Sequence, residues 1–390
     1  MALPFLSIRS AAPKTLAWLS MDDAVDHIIS RGAASLMAPN GAGGVAITLH
    51  IGGRALFFNY GQADRSTNRP IKADSLFNIG SVRKVFEAAV VAEGVLRGDL
   101  PLDNPVNKYL PELHGEYIRQ VTVGQLVCHT SGLLLPTDHP PWPVEHYSLA
   151  GFLDALNAWT PQAGEIPGKQ RIYTHAGYVL LQLVLERRYG IGIGELLKRA
   201  VITPLGMHST ILPAPGSDNQ ALMSPALLAR AVQGYSSTGE PIGLPGNQQS
   251  YYDFAGTGQM FSTARDLALL LAACLDERGA TTTAAGASNR ALRQALQLTQ
   301  REQFRVDAQY GQAMAWEIEN SFGTTIVDKP GGLNNASAYI GLVPEQKIGI
   351  AILVNRGDAF PFDAARKSIL PELAQLWRRR IPQPGTTARQ

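Results

Sequence analysis

Cysteine is nearly missing: Cys128 and Cys274 are the only two in 390 residues. They lie far apart in apolar, helix-like surroundings. Two buried free thiols are therefore expected rather than a disulfide, and there is no cysteine-rich metal pattern. An excess of one charge is missing too. The formal net charge is +2, charged residues make up 17% of the chain, and no acidic or basic block exists. That excludes a nucleic-acid or charged-membrane partner as the reading of choice. No apolar run approaches the ~20 residues of a spanning helix, and there are no internal repeats. The start, Met1-Ala2-Leu3-Pro4-Phe5-Leu6, is apolar but short and broken by proline. It lacks the charged start and long apolar core of a complete secretory signal, and would suit a mature chain with an added Met.

What is present suffices for a large core. Hydrophobic residues make up 45% of the chain, enough for one large domain or two lobes. The 38 glycines and 25 prolines indicate many turns. Lysine is scarce, with nine in all, and Lys84 alone has a serine three positions before it. Ser81-Val82-Arg83-Lys84 is thus the only Ser-x-x-Lys. It opens an apolar-periodic run, Val85-Phe86-Glu87-Ala88-Ala89-Val90-Val91-Ala92, which reads as a buried helix. Residues three apart are neighbours on a helix surface. A serine at the first turn also feels the positive end of the macrodipole, so this is a nucleophile with a base in reach. A capping serine followed by a solvated lysine would account for the same four residues, so partners are needed. Arg83 should point away from this face, in a salt bridge or at the surface.

Along the chain, Ser20-Met21-Asp22-Asp23 starts a helix, with a serine cap and acids in the first turn. Residues 44–51 and 54–60 read as a β-hairpin on Gly52-Gly53, with His50 a strand residue of no chemical role. Residues 121–133 read as a helix with a glycine stop. A loop rich in proline and histidine follows over 135–147. Pro167 to His175 is a second loop, feeding a helix at 177–185. Gly256-Thr257-Gly258 leads into a helix capped by Ser262 or Thr263; with no strand and no Gly-Lys-Ser/Thr, a phosphate cradle is disfavoured. Residues 281–286 read as a surface loop. Strands return at 324–329, 337–343 and 349–354, and an amphipathic helix spans about Phe362 to Arg378. Strands at both ends with helices between indicate an α+β fold: an antiparallel sheet built from both termini and flanked by helices, with an inserted, mainly helical lobe. The expected division is a sheet lobe of 1–75 and 310–390 and a helical lobe of 76–309, within one unit of 1–390.

Three elements could share one cleft: Ser81 and Lys84 on a helix, Tyr173 in a loop, and Lys329-Pro330-Gly331-Gly332 ending a strand. An acylating serine needs a proton acceptor, and a phenol can serve when ammonium groups stand beside it. Lys84 and Lys329 would supply that charge. The backbone N–H groups of Ser81 and Gly332 are candidates for an oxyanion hole. A strand edge beside the nucleophile could also pair with a peptide-like substrate.

With these residues in view, the chain resembles the serine β-lactamase/penicillin-recognising family, in its class C branch with related D,D-peptidases and esterases, over roughly residues 20 to 375. The resemblance rests on the Ser81 helix and on Thr122-Val123-Gly124-Gln125-Leu126-Val127-Cys128-His129-Thr130-Ser131-Gly132-Leu133. It extends through Pro204-Leu205-Gly206-Met207, Ser262-Thr263-Ala264-Arg265-Asp266-Leu267, and Lys329 to Pro344. It implies Ser81 as nucleophile, Lys84 as its partner, Tyr173 as general base or proton relay, and Lys329 completing the electrostatics. It implies hydrolysis of a β-lactam amide through an acyl-enzyme on Ser81, with peptidoglycan stem peptides or small esters as alternative substrates. A catalytically silent binding protein of the same fold is the rival from another class. No cofactor is required, and a monomer in the periplasm or secreted is expected.

Two positions depart from the family pattern. Tyr173-Thr174-His175 stands where Tyr-x-Asn is usual, and Lys329-Pro330-Gly331 where Lys-Thr-Gly is usual. His175 is read as a neutral imidazole contacting Lys84 or substrate. A sharper alternative makes it a zinc ligand together with Asp138, His139, Glu145 and His146, although no metal spacing supports this. Asn334, Asn335 and Arg356 are candidates to meet a substrate carboxylate. His129, His27, His114 and His208 are read as structural or surface residues. Asp328 should face away from Lys329.

Overall fold

The computed structural model describes residues 21–379 apart from 39, 136–137, 139–147, 163, 165, 214–221, 248–258 and 277–284. Helix α1 (Met21–Ala34) precedes a hairpin of β1 (Gly44–Ile51) and β2 (Arg54–Asp64), as expected; the Ser20 cap lies outside the described residues. Short β3 (Arg69–Pro70) pairs with β2, and β4 (Phe77–Asn78) pairs with β5 (Phe261–Ser262) in a separate ladder. After residue 300 come β6 (Phe304–Arg305), β7 (Tyr310–Gln312), β8 (Glu317–Glu319), β9 (Ile326–Gly332), β10 (Ser337–Val343) and β11 (Ile348–Val354). Together they form a nine-stranded sheet of order β3-β2-β1-β11-β10-β9-β8-β7-β6. Every adjacent pair is antiparallel. This is the α+β architecture expected, with β1 from one end of the chain lying against β11 from the other.

Central strands of this sheet are buried on both faces, which is why β1, β10 and β11 carry near-continuous apolar runs. Alternation still sorts the residues. Val45, Ile47, Leu49, Ile350 and Ile352 pack against Ile28 and Ile29 of α1 and against Leu370 and Leu373 near the C-terminus. Ala46, Ile340, Ala351 and Leu353 face the helical lobe. The C-terminal helix runs from Pro361 to Arg378, with one wider turn at Ala365–Ile369.

The helical lobe holds α2 (Arg83–Arg97), α3 (Val123–Val127), α4 (Leu149–Ala158) and α5 (His175–Tyr189). The helix expected over 121–133 is only α3. A capping box of Thr122 and Gln125 starts it at Val123. It ends at Val127 because His129 takes a left-handed backbone, with φ of 55°. Gly132 is therefore not its stop. The helix Ala264–Cys274 is capped by Thr263, whose Oγ1 accepts the Asp266 N–H at 3.1 Å. The Gly256-Thr257-Gly258 turn lies outside the described residues. Residues 281–284 do as well, but Ala285 and Gly286 begin a helix, Ala285–Thr299, rather than lying in a loop. Buried Leu292, Ala295 and Leu296 explain it, sharing the helical-lobe core with α2 residues.

One buried side chain ties the sheet to the lobe. Asn355, fully buried just past β11, accepts the Gly44 N–H at 2.6 Å and donates to Gln62 O at 3.1 Å and Gln233 O at 2.8 Å. Removing it strands buried polar groups on three segments, at about 1–3 kcal/mol each before relaxation. Asn355→Ala should lower unfolding free energy by about 3 kcal/mol in a denaturant titration. A loss below about 0.5 kcal/mol, the range of ordinary surface changes, would show the tie to be dispensable.

Candidate active site

Ser81 lies in a single 3₁₀ turn, Gly80–Val82, between β4 and α2. The turn requires glycine at its start: Gly80 has φ of +50°, and a Cβ there would sit 3.0 Å from the Gly332 nitrogen. Asn78 Oδ1 fixes the turn by accepting the Gly80 N–H at 3.0 Å. Ser81 is not a cap, because neither the turn nor α2 has a side-chain cap. Its Oγ instead lies 2.6 Å from the Tyr173 hydroxyl and accepts from Lys84 Nζ at 3.2 Å. Lys84 is not solvated; it is fully buried. The alternative of a capping serine with a solvated lysine is thereby removed.

Burial brings the Lys84 ammonium down from 10.5 to about 7. Glu87 opposes that shift, Arg83 adds to it, and Asp138 opposes it. The amine sits 5.2 Å from the Tyr173 ring centroid and 5.1 Å from that of Tyr178. Arg83 does form the expected salt bridge, to Glu87 at 2.6 Å, but both side chains are fully buried rather than at the surface. It also donates to Gln182 at 2.7 Å and Gln259 at 3.3 Å. A charged network thus lies beside Lys84, where a buried guanidinium needs several acceptors.

Tyr173 directly precedes Thr174, the N-cap of α5, whose Oγ1 accepts the Gly177 N–H at 3.0 Å. The His129 ring lies against Tyr173 with centroids 4.4 Å apart and planes at 32°. Its Nδ1 accepts the Thr174 N–H at 3.4 Å. Burial, with Lys329 and Lys84 nearby, holds His129 neutral, well below the usual imidazole range. His129 therefore supports Tyr173, a contact that no local pattern of residues reveals. His175 is the first residue of α5, with its ring edge-on to Tyr173 at 5.7 Å. Burial, Lys84 and Lys329 push its pKa down to about 3, so the imidazole is neutral.

Lys329 Nζ lies 4.6 Å from the Tyr173 ring centroid and 3.3 Å from Glu317 Oε1. Glu317 also takes Arg171 at 3.1 Å and Arg366 at 2.8 Å. Burial alone would raise the Glu317 carboxyl, but Lys329, Arg171 and Arg366 hold it well below the usual range. Neither Glu317 nor Arg171 was singled out from sequence. Asp328 faces the other way, as expected, accepting from Arg366 at 2.6 Å and Tyr339 at 2.7 Å.

The backbone of β9 completes the site. Leu333 N–H donates to Ala336 O at 2.8 Å. Alternate residues of an antiparallel strand bond the same neighbour, so in this register Gly331 and Lys329 bond β10. Gly332 and Pro330 then turn their amide nitrogens to the opposite edge. There β8 pairs no further than Asp328. That free edge abuts the nucleophile turn, since a Cβ on Gly331 would meet Ile79 O at 2.4 Å and Ser81 N at 3.1 Å. The same register explains how a strand tolerates Pro330: its missing N–H has no strand partner.

Other expected site residues fall elsewhere. Asn334 is exposed, whereas Asn335 is buried, with Gly234 packed on its side chain. Its Oδ1 is buried and has no hydrogen-bond partner among the described residues. Arg356 is engaged by Asp358. Asp138 receives the backbone N–H of His175, so its carboxylate is occupied by peptide groups rather than set beside the imidazole as a zinc ligand. His139, Glu145 and His146 lie outside the described residues. Among the described residues, no three His, Cys, Asp or Glu side chains gather to hold a metal. Cys128 and Cys274 are buried free thiols.

The β-lactamase family model matches residues 29–374. The chain belongs to the β-lactamase family. A β-lactamase from Yersinia enterocolitica is 26% identical, over 91% of this chain and 93% of its own length. Among solved structures, a class C β-lactamase from Rhodobacter sphaeroides aligns with a TM-score of 0.72 at 23% identity, covering 92% of this chain and 99% of that one. A β-lactamase/D-alanine carboxypeptidase from Pseudomonas syringae aligns at 0.73 and 22% identity, covering 93% and 100%. These likenesses establish the β-lactamase/transpeptidase-like fold, with its antiparallel sheet flanked by helices. Among the described residues, no helix is long and apolar enough to cross a membrane.

The contact between β9 and the Gly80–Val82 turn of this β-lactamase-family chain is open to a direct test. Gly331→Ala places a methyl against backbone that cannot yield. We expect the rate of Ser81 acylation by an activated acyl donor to fall about 100-fold, as when an oxyanion donor is displaced. An unchanged rate in stopped-flow would show that this contact does not set the geometry.

Proposed function

We propose that this chain is an active-site serine β-lactamase that hydrolyses the β-lactam amide through an acyl-enzyme on Ser81. The observation that carries the reading is the Ser81 Oγ held 2.6 Å from the Tyr173 hydroxyl and 3.2 Å from the buried Lys84 amine. Ser81 Oγ attacks the lactam carbonyl carbon and its proton passes to the Tyr173–Lys84 pair. The oxyanion is held by the N–H groups of Ser81 and Gly332. The C–N bond breaks, and the leaving nitrogen takes the proton from that pair. Water then attacks the ester carbonyl, giving its proton to the same pair, and Ser81 is regenerated. Lys329, paired with Glu317, lies over the Tyr173 ring in this scheme. The reading calls for no cofactor, and a location outside the cytoplasm, where its substrate class acts, would suit it.

A second substrate class within the same chemistry is favoured by Pro330. Where the family usually offers a hydroxyl and an N–H, this residue offers neither. That weakens recognition of a charged β-lactam and leaves D-alanyl stem peptides or small esters as the alternative.

Mass spectrometry with a penicillin and a cephalosporin separates these readings. A β-lactamase shows a Ser81 adduct that forms and clears, and Ser81→Ala slows hydrolysis at least about a thousandfold. An adduct that persists for hours assigns a peptidase-like role instead, and no adduct with either compound sinks the mechanism. The pH profile gives an independent check. The Lys84 amine is protonated below about 7 and free above it. Acylation should therefore rise through about pH 7 and level off above it. A profile flat from pH 5 to 9 would remove Lys84 from the proton path.

A further inference from the structure

We propose that Asp138 is a positioning residue of the site: its carboxylate, seated on the peptide groups that open α5, holds Tyr173 against Ser81. This rests on the serine-hydrolase reading above. The loop that follows α3 brings Asp138 back to the start of α5. There Oδ1 accepts the His175 N–H, Oδ2 accepts the Leu135 N–H at 3.2 Å, and the Ala176 N–H points at the same carboxylate. Thr174 takes the next donor, Gly177. Between them, Asp138 and Thr174 satisfy the first three helical N–H groups, which otherwise have no partner within the helix. Negative charge belongs at that end of the macrodipole.

The residue placed by this clasp is Tyr173, one position before the cap. A hydroxyl held 2.6 Å from Ser81 Oγ depends on where the first turn of α5 begins. Displacements on the order of 1 Å at such a contact cost about 100-fold in rate. Asp138 also acts by charge. The titratable and charged groups around this corner are Lys84, Glu87 and Arg83 from α2, Tyr173, His175 and Tyr178 at the start of α5, His129 from the loop after α3 and Lys329 from β9; Glu87 and Arg83 act on Lys84 more strongly than Asp138 does. Of these His129 and His175 are neutral. Asp138 favours the protonated form of Lys84. Burial raises its own carboxyl to about 6, even though the backbone donors favour the anion.

Two substitutions in the full chain test the proposal. Asp138→Ala removes both acceptors; kcat should fall about 10- to 100-fold, as for other supporting partners of a site, with KM changed less than threefold. Asp138→Asn keeps an acceptor but not the charge. It should recover part of kcat and move the acid limb of the pH profile to lower pH, because Lys84 loses an anion that favours its proton. A purely structural residue would not move that limb. A kcat within twofold of the parent in Asp138→Ala overturns the proposal. If Asp138→Ala does not fold, the asparagine variant decides: an acid limb that stays in place overturns the proposal. Ser81→Ala, measured alongside, separates the two levels. Full activity there defeats the hydrolase reading itself, whereas its loss together with parental kcat in Asp138→Ala defeats the positioning role alone.

Discussion

A lysine amine without water is the constraint on which the rest of this structure depends. Lys84 is fully buried, and its pKa drops from 10.5 to about 7. A shift of that size corresponds to a penalty on the charged form on the order of 5 kcal/mol. No single contact offsets it. Tyr173 and Tyr178 present ring faces, Ser81 Oγ accepts a hydrogen bond, and Glu87 and Asp138 contribute negative charge. Each of those groups has to be held by something else. Tyr173 is held by His129 and the start of α5, and Glu87 by Arg83. The polar interior follows from the requirement that a weakly basic amine sit beside the nucleophile.

The second ammonium is handled differently. Lys329 is buried too, but it has a carboxylate of its own in Glu317, which Arg171 and Arg366 share. One amine is thus left poorly compensated and the other well compensated, within reach of the same phenol. The poorly compensated amine, Lys84, is the one whose pKa falls to about 7, where it can exchange a proton near neutrality. The sheet makes the arrangement geometric. Alternation along β9 sends Lys329 toward the helical lobe and Asp328 toward Arg366 on the opposite layer.

Ser81, Lys84, Tyr173 and Lys329, which the fold does bring together, stood out in the sequence because each sits in a short local pattern of unusual chemistry. The antiparallel sheet from both ends was legible from apolar runs at 44–51, 337–343 and 349–354. What could not be read depends on contacts between distant segments. Glu317 looks like any strand acid until the fold places it against three cations. His129 looks like a helix end until its left-handed backbone stacks it on Tyr173. Arg83 was placed on the correct side of its helix, but its burial depends on Gln182 and Gln259, far along the chain. Asn335 sits in a polar turn, and its burial against Gly234 depends on a segment about 100 residues away.

The order of strands has a consequence for how the protein comes into being. β1 lies between β2 and β11, so the first long strand waits for the last before its other edge is covered. The same holds for the chemistry: Ser81 and Lys84 leave the ribosome early, while Gly332, Lys329 and Glu317 follow only in the final quarter of the chain. Pairings this remote in sequence form slowly, and a partly synthesised chain would hold Ser81 and Lys84 with no β9 beside them. The turn bearing Ser81 and the strand bearing Lys329 are therefore brought together only by tertiary pairing between segments about 250 residues apart.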